Sequence, residues 1–293
     1  MEKVNISNDL SITNICFGTS ALGNMPETYG YKVGPSEAEE TIQAIFQSPI
    51  NFMDTSRNYG MGRSEQLIGN VLKKIGGKPK NFVLATKIDR DMTTDVLDAD
   101  VTRRSFDESI QALGTDQIDI LHLHDPEHCK DVKDITKPGG ALDALFKIKD
   151  EGLVNLVGLA MGDIDLMEKI IPNWPFDVLI NHNRYTLLNR QADKLFDLAH
   201  EKGIKIFNAA PFCGGILAKG TSKTKRLVYQ NVPEKALLPI VEIEKICNQF
   251  DIPLGAAALQ FSIRDKRISS TIIGIPRPLI SNTAFSLFAW KIR

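Results

Sequence analysis

The sequence has 293 residues, of which 43% are hydrophobic and 24% are charged, with a formal net charge of −1. These values are ordinary for a globular protein with a large core, and the near-zero charge argues against nucleic acid or an anionic membrane as a partner. Four scattered cysteines without zinc-ligand spacing, no secretory signal and no apolar run of membrane-spanning length predict a cytoplasmic, reduced protein without a metal site.

Short apolar runs alternate with amphipathic helical patterns along the chain. A small hairpin is predicted within residues 1–12, before the first apolar run. Eight strands are predicted over residues 15–19, 50–54, 82–87, 118–124, 155–160, 177–182, 204–209 and 270–274. Helices are predicted over 36–47, 64–75, 102–113, 141–151, 164–171, 192–202, 237–250 and 256–263. Ser36 and Ser64 are the expected N-caps of the first two helices.

The strands are mostly continuous apolar runs, which is typical of a parallel sheet that is buried on both faces. Eight βα repeats over this length predict an α/β fold, a single (β/α)8 TIM barrel domain spanning residues 1–293. The longest irregular stretches are residues 125–140 and 210–235, and they follow strands 4 and 7. Both are therefore expected on the C-terminal face of the barrel, where barrel enzymes place their active sites.

Four polar residues fall at or just beyond the ends of predicted strands 2, 3 and 4. Asp54 ends strand 2 and Tyr59 follows it in a loop, whereas Lys87 and His124 end strands 3 and 4. Taken alone, Asp54 is equally explained as a turn cap and Tyr59 as an ordinary packed aromatic. A lysine that ends a buried run, however, needs a partner, and all four residues converge on one rim of the barrel.

The chemistry of these four residues is consistent with proton transfer. An ammonium group lowers the pKa of a neighbouring tyrosine, and a carboxylate keeps that ammonium charged. A histidine is able to hydrogen-bond a substrate oxygen. Together they predict a site that moves a proton onto or off a carbonyl or alcohol oxygen.

Several motifs occur in a fixed order over most of the chain. They are Asp54-Thr-Ser-x-x-Tyr-Gly60, Ser64-Glu-x-x-Ile-Gly69, Ala85-Thr-Lys87, Ser109-x-x-x-Leu-Gly114, Asp119-Ile-x-x-x-His124 and Gly152-x-Val-x-x-Val-Gly158. With them the sequence resembles the aldo-keto reductase family. Three further stretches, His124-Asp-Pro126, Arg184-Tyr-Thr-Leu-Leu188 and Ile268–Gly274, make it most similar to the aldose 1-dehydrogenase branch (L-galactose, L-fucose and D-threo-aldose dehydrogenases), with pyridoxal 4-dehydrogenase nearby.

The resemblance implies an oxidoreductase that uses NAD or NADP and acts on a small sugar or aldehyde, as a monomer or small homo-oligomer. It implies that Tyr59 donates or accepts the proton and that Lys87 lowers the pKa of Tyr59. Asp54 is then the carboxylate paired to Lys87, and His124 orients the substrate oxygen. In the dehydrogenase direction, Tyr59 takes the proton of the anomeric hydroxyl while C1 gives up hydride, which yields a lactone.

The resemblance also implies where the cofactor lies, although this chain departs from the family there. The residues assigned to the cofactor are Gly18, Thr19, His182, Phe212, Gly274, Arg277 and Asn282. His182 stands where the family has a glutamine, Ala160-Met161 replaces a Ser-Asn pair, and Ala209 replaces a ring-stacking tyrosine. Phe212 is either a substitute stacking residue or a core aromatic.

Some alternatives stay open from the sequence alone. Arg277 suits either a 2′-phosphate or a pyrophosphate, so the choice between NAD and NADP is not decided. A barrel lyase that uses Lys87 as a Schiff base is a less favoured interpretation. A cofactor-binding regulatory barrel with little turnover is another, because the residues expected around the nicotinamide are altered.

Overall fold

The computed structural model describes residues 2–277 of the chain. Its strands are β1 (Lys3–Asn5), β2 (Ser11–Thr13), β3 (Ile15–Gly18), β4 (Phe52–Asp54), β5 (Val83–Ile88), β6 (Ile118–His124), β7 (Val154–Met161), β8 (Val178–His182), β9 (Lys205–Ala209), β10 (Arg226–Leu227), β11 (Gln230–Asn231) and β12 (Ile268–Gly274). Its helices are α1 (Pro26–Tyr29), α2 (Pro35–Gln47), α3 (Arg63–Ile75), α4 (Ala99–Leu113), α5 (Lys133–Thr136), α6 (Ala141–Asp150), α7 (Ile164–Ile170), α8 (Asp193–Glu201), α9 (Ile216–Lys219), α10 (Glu234–Gln249) and α11 (Leu254–Ile263). In residues 2–277, no helix is both long and apolar enough to cross a bilayer.

Eight parallel strands close into a barrel in the order β12-β3-β4-β5-β6-β7-β8-β9. Strands β1 and β2 form an antiparallel pair that precedes the barrel in the chain, which confirms the predicted N-terminal hairpin. The register aligns the C-terminal ends of neighbouring strands, since Gly18 pairs with Asp54 and His124 pairs with Ala160. The predicted (β/α)8 barrel is therefore confirmed, and its strand ends meet at one rim.

The core has an inner and an outer part, because alternate residues of each strand face opposite sides. The inner cluster fills the barrel and includes Cys16, Phe52, Ile120, Val178 and Phe207, all of which are buried. The outer and larger cluster packs between the strands and the surrounding helices. The same alternation turns one residue at each strand end toward the barrel axis, and these residues form the floor of the mouth.

Neither predicted serine caps its helix. Helix α2 begins at Pro35 after Gly34, because proline at the first helical position already has the required φ. Helix α3 begins after Gly62, and Ser64 Oγ instead donates to the Thr19 hydroxyl at 2.9 Å. The serine that sequence assigns to a helix end thus ties the helix to the barrel rim.

Both stretches that the sequence left as irregular contain local structure. The segment after β6 holds a turn of 3-10 helix at Pro126–His128 and helix α5, and the segment after β9 holds α9 and the β10–β11 hairpin. Arg226 of the hairpin donates to the carbonyl oxygens of Glu27 and Thr28, at 2.9 and 2.8 Å. The hairpin is thereby tied to α1 on the loop that follows β3.

Candidate active site

Lys87 is the centre of the polar cluster at the end of β5. Its Nζ donates to Asp54 Oδ2 at 2.7 Å, to the Thr55 carbonyl at 2.6 Å and to Tyr59 Oη at 3.0 Å. An ammonium has three N–H donors, so these bonds use all of them. The lysine side chain is only 2% exposed and that of Asp54 is 4% exposed. Their burial as an ion pair is tolerable because each charge has its partner.

The strand end that carries Asp54 is held by the residue after β3. Thr19 is fully buried, and its amide N–H and its hydroxyl both donate to the Asp54 carbonyl at 3.0 Å. The same hydroxyl accepts from Ser64 of α3. The side chain of Thr19, which the sequence assigns to the cofactor, therefore supports the end of β4.

Two glycines fix the loop that carries Tyr59. Gly60 has φ +65°, and a Cβ there would lie 2.0 Å from the carbonyl oxygen of Gly23. A Cβ on Gly23 would in turn lie 2.6 Å from the carbonyl carbon of Tyr59. Because the two backbone segments touch, the tyrosine loop rests directly on the segment after β3, and glycine is required at both positions.

In the protein alone the pKa of Tyr59 is raised overall, so the expected lowering by Lys87 stays a prediction. Burial raises the pKa of Tyr59 well above 10, and the negative charges of Asp54, Asp125 and Asp89 add to the effect. Lys87 does not reverse this shift, because Asp54 already balances its charge at 2.7 Å. Tyr59 is therefore held as a phenol whose hydroxyl is within hydrogen-bond distance of an ammonium.

His124 ends β6 and lies against Tyr59, with the two ring centroids 5.9 Å apart in an edge-to-face arrangement. Its Nδ1 lies 2.6 Å from Asp89 Oδ1. Burial acts against a charge on the ring, but Asp125 and Asp89 outweigh burial, and the pKa of His124 is raised above 6.5. His124 is thus a buried histidine that two carboxylates favour in its protonated form.

Asp125 brings a second carboxylate to the same rim. Its Oδ1 lies 3.2 Å from Nε2 of His182, and its Oδ2 lies 3.5 Å from Nε2 of His124. Burial would raise the pKa of Asp125, but the two histidines hold it below its usual range. Glu127 is nearby, but its Oε1 accepts from the amide of Gly162 at 2.8 Å. Glu127 Oε2 has no hydrogen-bond partner among residues 2–277. Asp125, Glu127 and His182 each place one possible ligand atom within 4.8 Å of the others.

The remaining residues assigned to the cofactor lie at different depths. Gly18 and Gly274 pair with each other at the ends of β3 and β12. Phe212 is half-buried and packs against two hydrophobic clusters. Arg277 is exposed and its Nε lies 3.2 Å from a carboxylate oxygen of Glu37 on α2. Asn282 lies outside the described residues.

The barrel mouth is compatible with a flat nicotinamide ring and its carboxamide. Of the eight residues that end the barrel strands and face inward, four are glycine or alanine. Ala209, Gly274 and Gly18 end the adjacent strands β9, β12 and β3, and His182 of β8 separates them from Ala160 of β7. Beside His182, the buried Asn183 has an Oδ1 atom without a hydrogen-bond partner among the described residues. A carboxamide N–H is the kind of donor that this oxygen lacks.

Sequence reasoning missed two carboxylates of the cluster. Asp89 lies two residues beyond Lys87, so it faces the same side as Lys87 if the strand geometry continues past Ile88. Asp125 follows His124 directly, within the motif His124-Asp-Pro126. The alternation of side-chain direction along β5, continued past the strand end, predicts the side on which Asp89 lies. No local pattern predicts that Asp89 contacts His124.

Comparisons with known proteins agree with this geometry. The sequence model of the aldo/keto reductase family matches residues 14–283. The chain is 28% identical to pyridoxal 4-dehydrogenase of Microbacterium luteolum and 30% identical to D-threo-aldose 1-dehydrogenase of a Pseudomonas species, and each alignment covers 92% of this chain and 87% of the relative.

Solved structures share the fold. The aldo-keto reductase AKR11C1 from Bacillus halodurans, in its holo form, superposes with a TM-score of 0.78 at 19% identity, over 100% of this chain and 92% of that one. The glycerol dehydrogenase AKR11B4 from Gluconobacter oxydans gives 0.77 at 20% identity, over 99% and 91%. The chain therefore belongs to the aldo/keto reductase family and is an NAD(P)-dependent oxidoreductase.

Proposed function

We propose that the enzyme transfers hydride between NAD or NADP and C1 of an aldose hemiacetal or a related aldehyde or alcohol, with Tyr59 as the general acid and base. The observation that carries this proposal is the buried chain Asp54–Lys87–Tyr59, which ends at a hydroxyl on the barrel rim. Similarity to an aldose 1-dehydrogenase and to a pyridoxal dehydrogenase supports the substrate class.

The two directions of the reaction make different demands on Tyr59. Reduction needs a phenol that protonates the carbonyl oxygen, and the raised pKa of Tyr59 suits this role. Oxidation needs the phenolate, which additional positive charge would favour. When bound, a nicotinamide cofactor supplies or accepts the hydride and, in its oxidised form, brings such a charge. His124 lies beside Tyr59 and is the second group able to contact the substrate oxygen.

Asp125 indicates which substrates the site favours. Its carboxylate is ionised at neutral pH and lies 3.5 Å from Nε2 of His124, where the substrate oxygen would lie. A fixed negative charge there accepts hydrogen bonds from substrate hydroxyls and repels anions. The substrate is therefore a neutral polyol or hydroxyaldehyde rather than a phosphorylated or carboxylated sugar.

The Schiff-base interpretation of Lys87 is disfavoured by its hydrogen bonds. A lysine nucleophile needs a neutral amine with a free lone pair. All three N–H groups of Lys87 are donated, one of them to the carboxylate of Asp54 at 2.7 Å. A lysine held by three such hydrogen bonds presents no free lone pair to a carbonyl carbon.

The test is a dehydrogenase screen with NAD and NADP against neutral aldoses, among them L-galactose and L-fucose, and against pyridoxal, sugar phosphates and uronic acids. Absorbance of the reduced nicotinamide gives the rate. We expect Tyr59→Phe to lower kcat by about 10²- to 10⁴-fold, the range for loss of a general acid or base. Tyr31→Phe, which also removes one phenol, is the matched control. Full activity in Tyr59→Phe would refute the assigned role.

A further inference from the structure

The contacts of Asp89 give it a role that the sequence motifs do not assign. Asp89 follows β5 and is 4% exposed. Its Oδ2 accepts from the Ser56 hydroxyl at 2.5 Å and from the Asn58 amide at 2.8 Å, and its Oδ1 lies 2.6 Å from Nδ1 of His124. A carboxylate that is buried and bonded through both oxygens has a fixed orientation.

These contacts determine which nitrogen of His124 carries a proton. The hydroxyl of Ser56 has one O–H, and it is donated to Asp89, so Ser56 has none left for Nδ1, which is 3.2 Å away. An ionised carboxylate can only accept. The bond of 2.6 Å between His124 and Asp89 therefore requires a hydrogen on Nδ1.

The other ring nitrogen of His124 is left open. Nε2 lies 3.5 Å from Asp125 Oδ2, which is longer than a normal hydrogen bond. The ring also lies edge-to-face with Tyr59. Because Nδ1 faces Asp89, Nε2 is the ring nitrogen that remains for the substrate oxygen.

We propose that Asp89 is a positioning residue for the reaction, which fixes His124 with its proton on Nδ1 and directs Nε2 at the substrate oxygen. The relation to catalysis rests on the proposed function, whereas the effect on His124 does not. Two side chains then face the reacting oxygen: Tyr59, which Lys87 and Asp54 support, and His124, which Asp89 supports. The arrangement follows the same logic as the aspartate that orients the histidine of a serine protease.

The charge of His124 is set by several groups together. The ionisable groups that face it are Asp54, Tyr59, Lys87, Asp89, His122 and Asp125. Asp125 and Asp89 favour the protonated ring, whereas burial and Lys87 disfavour it. Removing the charge of Asp89 alone therefore lowers the pKa of His124 and leaves the other contributions in place.

The experiment compares Asp89→Asn with Asp95→Asn in the full-length protein. Asp95 lies in the same loop and carries the same charge, but it is exposed and paired with Arg90. The ¹⁵N resonances of His124, assigned with His124→Gln, report its tautomer and its titration. In the wild type we expect a proton on Nδ1 of His124. In Asp89→Asn we expect the pKa of His124 to be lower by about one to three pH units. Asp95→Asn should titrate like the wild type.

Kinetics give the second measurement. A misplaced group about 1 Å from its position costs on the order of 100-fold, so we expect Asp89→Asn to lower kcat by about that factor with little change in KM. The limb of the pH–rate profile that reports His124 should move to lower pH by the shift that NMR measures. Asp95→Asn should retain the wild-type profile.

The NMR titration and the kinetics distinguish failure of the Asp89 proposal from failure of the proposed function. An unprotonated Nδ1 in the wild type, or an unchanged His124 titration and pH profile in Asp89→Asn, would overturn the proposal even if activity fell. If the wild type turned over no substrate of the panel, the proposed function would fail, but the NMR titration would still decide the role of Asp89. If Asp89→Asn does not fold, Asp89→Ser removes the same charge with a smaller side chain and is judged by the same criteria.

Discussion

Glu65 gives a prediction about stability that depends on a single buried carboxyl. It lies on α3, is completely buried, and its Oε1 accepts from the Thr86 hydroxyl at 2.5 Å. Burial raises the pKa of Glu65 from 4.5 to about 7, and the hydrogen bonds from Thr86 and Ser109 offset only part of that effect.

The direction of the pH dependence of stability follows from which state, folded or unfolded, binds the proton of Glu65 more tightly. Below the unfolded pKa of 4.5, Glu65 is protonated in both states and contributes nothing. Between 4.5 and about 7 the folded state holds the proton that the unfolded state has lost, so stability falls as the pH rises. Above this range the loss is complete, and a pKa difference of about 2.5 corresponds to roughly 3 kcal/mol.

The variant Glu65→Gln keeps an acceptor for Thr86 and removes the ionisation. We expect it to be more stable than the wild type by up to about 3 kcal/mol at about pH 8, and by less than about 1 kcal/mol at about pH 5. For a chain of this size, the gain in stability corresponds to a Tm higher by about 5 °C in Glu65→Gln at the higher pH. Urea unfolding at both pH values measures it, with the exposed Glu40→Gln as control.

One result would refute the reasoning about Glu65. If the stability difference between Glu65→Gln and the wild type were the same at about pH 5 and about pH 8, Glu65 would not titrate across this range. The interpretation of its burial as an electrostatic cost would then be wrong. A parallel change in Glu40→Gln would instead show that the pH dependence does not come from the buried site.

Two further predictions concern the residues that hold the site together. Lys87→Met should lower the free energy of unfolding by about 3–5 kcal/mol, because it leaves Asp54 as a buried unpaired carboxylate. Adding Asp54→Asn should recover part of that stability. If urea unfolding showed Lys87→Met to be as stable as the wild type, the prediction would be contradicted. Gly60→Ala should cost about 2 kcal/mol or more and lower kcat, because its Cβ would lie 2.0 Å from the Gly23 oxygen. The matched control is Gly76→Ala, which has φ +83° with open space around it, so equal losses in both variants would show that backbone strain rather than the clash is responsible.

The part of the site that sequence could predict is the part that the barrel geometry fixes. A polar residue at the end of an apolar strand faces the axis whenever its apolar neighbours two positions earlier do. Asp54 and Lys87 satisfy this condition through Phe52 and Ala85, which face the barrel interior, whereas His124 follows another inward-facing histidine, His122. The convergence of the three follows from parallel strands in register. No side-chain detail is needed for that inference.

The rest depended on contacts between residues that are distant in the sequence. Asp89 and His124 are 35 positions apart, and no spacing rule connects them. The β10–β11 hairpin was not predicted, because Val228 and Tyr229 at its turn have φ of 47° and 68°, where Asn-Gly is the usual signal. The pKa of Tyr59 likewise depends on burial and on all the neighbouring charges, which a motif does not report.

The balance of charge at the barrel mouth connects these observations. Each cation is bonded to a carboxylate, and Asp125 adds one more carboxylate that is held ionised. Three carboxylates, Asp54, Asp89 and Asp125, thus surround the two basic groups Lys87 and His124. Burial, together with the negative charges of these carboxylates, raises the pKa of Tyr59 and explains why it is held as a phenol. A ligand that brings a positive charge into the mouth would offset these negative charges, and it would lower the pKa of the tyrosine at the moment when oxidation requires a base.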